Sequence, residues 1–181
     1  MDRAIKQIPL SCVLIAIFAT YAVAENAPSR ESQVKAAMIC NFVQFVEWPS
    51  DAFSSADAPL VIGVMNPNPF GDVVEQLTRG KSLNGHAIVI RHLDSADEVQ
   101  GCHAIFVPAT READLNAIMH KASEQPMLTI GETDSFPWAG GILRFYLEEN
   151  KLRFEVNPEA AAHARLQISS KLMKLATIFK R

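Results

Sequence analysis

The seven residues PLVIGVM (59–65) are apolar without a polar break. A strand with one wet face alternates apolar and polar side chains. An unbroken run of this length belongs to a strand covered on both faces, as in a parallel sheet flanked by helices. The run leads into NPNPFG (66–71), a stretch dense in turn formers. Reading outward, HAIVIRHL (86–93), HAIFVP (103–108) and MLTIG (127–131) are three further strands. Between them, residues 70–79 and 111–124 fit helices, the second with Thr110 as its cap. Strands alternating with helices predict an α/β domain, a compact sandwich with a largely parallel sheet and flanking helices.

The ends of the chain follow other rules. Val34, Ala37, Met38, Phe42, Phe45 and Val46 recur at helical spacing, which predicts a first helix from Val34 to Trp48 with Ser29 at its cap. Pro49 stops it, because the residue before proline is pushed out of the α region. After residue 131 comes a turn-rich connector, GETDSFPWAGG, and then a period-two pattern. Leu143, Phe145 and Leu147 match Leu152, Phe154 and Val156 across the turn Glu148–Lys151, which predicts an antiparallel edge hairpin over 142–156. Asn157-Pro158 is an N-cap followed by proline at the first helical position. A helical region is expected from there to the end, broken near 166–169, with Leu172, Leu175, Ala176 and Phe179 on one face.

Residues 1–24 stand apart from this fold. A short net-positive start, an apolar run from Ile8 to Val23 and the small-x-small ending Ala22-Val23-Ala24 make a secretory signal peptide cleaved after Ala24. Residues 25–181 are then one exported domain. It carries 15 Lys+Arg against 19 Asp+Glu, a net charge of −4. With no basic stripe, nucleic-acid binding is disfavoured on charge. Two cysteines remain, Cys40 and Cys102. A single bridge between them is open to an oxidising compartment, but both lie in apolar segments, and buried free thiols are the favoured reading.

The residues that carry catalysis elsewhere are not arranged for it here. There is no nucleophile elbow, phosphate-binding lysine loop or paired-histidine zinc helix. GVMNPNPFG follows a strand, but its glycines are wrongly spaced for a dinucleotide and its prolines remove backbone donors. His86, His92 and His103 lie on neighbouring strands, yet no carboxylate completes a ligand set, so strand-end histidines with local hydrogen bonds are expected. Ser169-Ser170-Lys171 reads as a helix cap rather than a nucleophile pair. The acidic groups at 94–98 and 148–149 read as solvated turns. No catalytic residue, metal or cofactor is expected.

Several segments, in order, resemble one family. They are VKAAMICNFVQFVEWP, PLVIGVMNPNPFG, GCHAIFVP, the connector and hairpin through RFEVNPEAA, and LQISSKLMKLATI. Together they look like the YfiR/HmsC family of periplasmic regulators, over about residues 34–179. The resemblance implies a non-enzymatic exported protein that binds the periplasmic domain of an inner-membrane sensor, a diguanylate cyclase in the characterised type. Binding there lowers cyclic di-GMP and biofilm formation. It also implies relief by an outer-membrane lipoprotein, and a protein that is often a homodimer. Redox control in the family leans on cysteine pairs. Cys102 occupies the family-like G-C-H position, but no partner cysteine lies in the 60–90 stretch, which counts against a disulfide switch. The alternative is a small-molecule binding module serving another sensor, such as a histidine kinase, through the loops 66–71 and 132–139.

The rings complete the list of candidates. Phe42 and Phe45 share a helix face and are assigned to the core. Trp48, Phe53, Phe136 and Trp138 fall near element ends and are the candidates for a partner surface or small pocket. Plugging the ends of the core is the competing assignment for all four.

Overall fold

The computed structural model describes residues 28–181, so the signal peptide expected at 1–24 lies outside the described residues. The elements in chain order are α1 (Arg30–Phe42), β1 (Val46–Glu47), β2 (Leu60–Met65), α2 (Val73–Thr78), β3 (Ser82–Leu83), β4 (His86–Leu93) and β5 (Ala104–Val107). Then come α3 (Leu115–Ala122), β6 (Leu128–Gly131), β7 (Leu143–Glu148), β8 (Lys151–Val156), α4 (Pro158–His163), β9 (Gln167–Ile168), α5 (Ser170–Met173) and β10 (Thr177–Ile178).

Eight strands form one sheet in the order β10-β8-β7-β6-β5-β2-β4-β3. The run β4-β2-β5-β6-β7 is parallel throughout, as the unbroken apolar strands require. The hairpin β7–β8 pairs antiparallel with Leu143 opposite Val156 and Phe145 opposite Phe154, the expected register. It does not close the sheet, because β10 adds parallel to β8 outside it. The central strands are buried on both faces, and alternate residues feed two cores. Leu60, Ile62, Val64, Ala104, Phe106, Leu128 and Ile130 join α1, α2, α4 and α5 on one side. Met65, Ile105 and Val107 join α3 and Phe136 on the other. Helix α3 does not cover the hairpin. There the second face is polar, with Arg144 paired to Glu155 (2.5 Å) and to Asp134. That difference in covering explains why β7 and β8 alternate and β2 does not.

The helix ends need correction. Ser29 caps α1 through a bond from the Ser32 N–H (3.0 Å), but the helix stops at Phe42 rather than Trp48. The chain turns through Val43–Phe45 into β1, which pairs antiparallel with β9. Tertiary pairing of the β-branched Val46 with Ile168 overrides the helical spacing. The same competition splits the C-terminal region. Ser169 caps only the four-residue α5, and Thr177–Ile178 leave the helix to pair with β8. Thr110 caps nothing: residues Ala109–Asp114 form a 3-10 turn, and α3 begins after Asp114. Asn157 does cap α4, accepting from the Ala160 N–H at 3.1 Å.

Candidate functional site

The segment between β1 and β2 brings two of the four candidate rings together. Residues Ser50–Ala52 form one 3-10 turn, and the segment crosses the N-terminal ends of β2, β4 and β5. Trp48, Pro49, Phe53, Leu60, Leu83 and His86 line a cleft of about 650 Å³ there. The Phe53 ring is sandwiched between two imidazoles. His86 stacks on one face at 3.8 Å between centroids and His103 on the other at 4.3 Å. His103 is the hub of the wall. The Trp48 indole N–H donates to its carbonyl (3.1 Å), its Nδ1 accepts from the Val61 N–H (3.1 Å), and its Nε2 lies 3.2 Å from the Ala52 carbonyl. His86 Nδ1 lies 2.6 Å from the Ala58 carbonyl. The outer rim is tied by Arg165 to Asp51 (2.8 Å), and this hydrogen bond holds the Asp51 carboxyl below its usual range.

The other two candidate rings lie elsewhere. Phe136 is 1% exposed and belongs to the core on the α3 side, so as a partner-surface residue it is corrected to core. Trp138 is 58% exposed and packs edge-on against Phe179 at 5.0 Å. Its neighbours Pro137 and Ala139, with Met127, Asn157, His163 and Arg181, line a second, smaller cavity of about 210 Å³.

The C-terminal strand ends, flanked by loops 66–71 and 132–139, are bridged by charged side chains. Lys35 of α1 reaches Glu132 (2.5 Å) and Glu31 (2.6 Å). Burial alone would lower its pKa, but the hydrogen bonds and charges of the two carboxylates prevail and raise it. Arg111 donates to the carbonyls of Asp94 (3.0 Å) and Asn66 (3.4 Å) and pairs with Asp114.

Cys40 and Cys102 are both buried and free. Burial raises the pKa of both, that of Cys40 to about 11. No group of three or more metal-ligating side chains occurs among the described residues, and none of their helices is long and apolar enough to cross a membrane.

The two histidines are what the sequence reading missed. Their local hydrogen bonds are as expected, but their role as stacking partners of Phe53 requires the segment 50–58 to fold back over the strand starts. No spacing rule encodes that return.

Comparison with known proteins agrees with this architecture. The family model described as YfiR/HmsC-like matches residues 32–177, and the chain belongs to that family. No curated protein matches the chain. Among solved structures, a conserved domain protein from Vibrio cholerae O1 biovar eltor is similar at TM-score 0.55 and 13% identity. An ABC domain in complex with L-Trp from Streptococcus pneumonia is similar at TM-score 0.53 and 11% identity. Each match covers 82% of this chain, and the chain spans 60% of the length of each of those proteins. At such identities the likeness is one of fold.

Proposed function

We propose that this chain is an exported, non-enzymatic regulator that docks on the periplasmic domain of an inner-membrane diguanylate cyclase and holds it inactive, lowering cyclic di-GMP and biofilm formation. The observation that carries the reading is the YfiR/HmsC-like match across residues 32–177, nearly the whole of the expected mature domain. Regulation by binding alone requires a surface with different affinity for the two states of the partner. The Trp48–Phe53 cleft suits that task. It is concave, and it offers aromatic anchors of the kind that dominate interface energies. An outer-membrane lipoprotein that competes for the same regulator would relieve the inhibition.

The test is intracellular cyclic di-GMP in the native bacterium with and without the gene. Deletion should raise it, and the full chain should restore it while a form lacking 1–24 does not. Trp48→Ala should restore it poorly and bind the partner's periplasmic domain about 30-fold more weakly, the equivalent of about 2 kcal/mol for an anchor residue. An unchanged nucleotide level on deletion would refute the cyclase as target.

A second reading, a small-molecule binding module serving another sensor such as a histidine kinase, is favoured by the 210 Å³ cavity beside the 132–139 connector. Its walls combine apolar side chains with Asn157, Glu159, His163 and Arg181, the mixture common in ligand sites. A ligand that co-purifies with the chain, or a metabolite that raises its melting temperature, would favour it over the first.

A further inference from the structure

The segment Trp48–Ala58 is a strap laid over the sheet's N-terminal end, and two of its four polar ties to the rest of the chain run through imidazoles. The protonation state of the buried one is legible from its partners. A backbone N–H can only donate, so the Val61 N–H at 3.1 Å requires a lone pair on His103 Nδ1. The ring proton therefore sits on Nε2 and is given to the Ala52 carbonyl. His103 is fully committed as a neutral ring. A second proton can enter only at Nδ1, where it would face another N–H.

His86 differs. Its Nδ1 proton is given to the Ala58 carbonyl, so a second proton on its other nitrogen leaves that bond in place. The groups around the His103 ring are the Val61 amide from β2, Ala52 and Phe53 from the strap, and His86 of β4 across the Phe53 ring. Among the described residues, His86 is the one ionisable group whose charge acts on it. Asp51 is turned to Arg165, and Glu47 and Asp57 make no bond to either ring.

We propose that His103 makes this strap acid-releasable: the neutral ring seats Ala52 and Phe53 against the sheet through its Val61 bond, and a proton on Nδ1 sets two N–H groups against each other, drives the ring off β2 with Ala52 and Phe53 still attached to it, and opens the Trp48–Phe53–His86 cleft. Burial, opposed by the Ala52 bond and reinforced by His86, lowers the pKa of His103 below its ordinary 6.5. The unfolded or released ring thus takes up a proton before the pinned ring does. The stabilisation is complete above pH 6.5 and is lost as pH falls from there through the pinned value. Because strap residues form much of the cleft wall, acid would change the surface offered to the partner. That consequence, unlike the strap itself, rests on the function proposed above.

The experiment is residue-resolved amide protection by NMR on the chain from Glu25 onward, between about pH 7.5 and about pH 4.5, the range in which imidazoles titrate. The amides of Ala52 and Val61 should lose protection with a midpoint below 6.5, while Phe106 and Ile130 in the core stay protected. His103→Gln should abolish the transition, and His86→Gln should keep it. Simultaneous loss of strap and core protection would overturn the proposal, as would a transition that survives His103→Gln. If His103→Gln does not fold, the unsubstituted chain decides. The His103 ring and the Val61 amide must titrate with one midpoint, and two separate midpoints would refute the coupling. The readout needs no partner, so a negative result in the cyclic di-GMP experiment leaves it standing.

Discussion

Two glycines make the space that Phe136 fills. A Cβ on Gly141 would lie 2.1 Å from the near edge of that ring and 2.7 Å from the Phe136 carbonyl oxygen, and one on Gly131 would lie 2.2 Å from the opposite edge. The first clash involves backbone, so rotation of the ring does not relieve it. Overpacking a well-filled core costs about 1–3 kcal/mol, and a clash on both ring and backbone belongs at the upper end. Gly141→Ala should therefore lower the melting temperature by about 6–12 °C, taking 2–4 °C per kcal/mol for a domain of this size. A thermal denaturation curve that coincides with the parent's would show that the connector can move aside. The same geometry removes Phe136 from the candidate partner surface. Its sequence position at an element end suggested exposure, but the close glycines draw the backbone over it.

At the scale of elements, the two hairpins use the same turn with different chemistry. In β3–β4 the two central residues are Asn84 (φ 52°) and Gly85 (φ 92°), and in β7–β8 they are Glu149 (φ 49°) and Asn150 (φ 57°). Both turns need left-handed backbone at two successive positions, which Asn-Gly supplies most cheaply. Replacing Glu149-Asn150 by Asn-Gly should raise stability by about 1 kcal/mol, the scale of the left-handed penalty for an ordinary residue, with a matching rise in urea midpoint. An unchanged midpoint would mean that the Glu148–Lys151 pairing already carries the turn. These hairpins also show what was legible. The β7–β8 strands and their register follow from alternation over five residues on each side. The Asn84-Gly85 signal stands in the sequence too, but β3 is only two residues long and gives no alternating run to flag it. The false extensions of α1 and α5 have a common source: Val46 at helical spacing, and Thr177 and Ile178 within the expected C-terminal helix, are β-branched, and distant strands recruit them. The Trp48 and Phe53 pairing was partly legible as rings at an element end. The histidine sandwich was not, because it depends on which strand starts the loop meets.

For the whole molecule, the two-sided sheet decides the cysteine question. Cys40 packs in the core shared with α1, and Cys102 in the core shared with α3, so the sheet lies between them. A disulfide needs Cβ atoms about 3.8 Å apart with aligned vectors, and side chains on opposite faces of a sheet cannot supply that without unfolding. Both thiols are also kept protonated by burial, Cys40 with a pKa of about 11, and a thiolate is the reactive species. The Arg91 guanidinium lies 2.9 Å from the Cys102 sulfur. Its charge favours thiolate there but does not outweigh burial. The chain from Glu25 onward should therefore melt at the same temperature with and without a reducing agent. Alkylation by iodoacetamide at neutral pH should be slow in the folded state and modify both cysteines once denaturant is added. The rate should follow the fraction unfolded multiplied by the thiolate fraction of an exposed cysteine, so it should rise with urea concentration as well as with pH. A melting temperature that falls on reduction, or one thiol already missing from the denatured titration, would show a bridge and would require the two cores to exchange partners across the sheet.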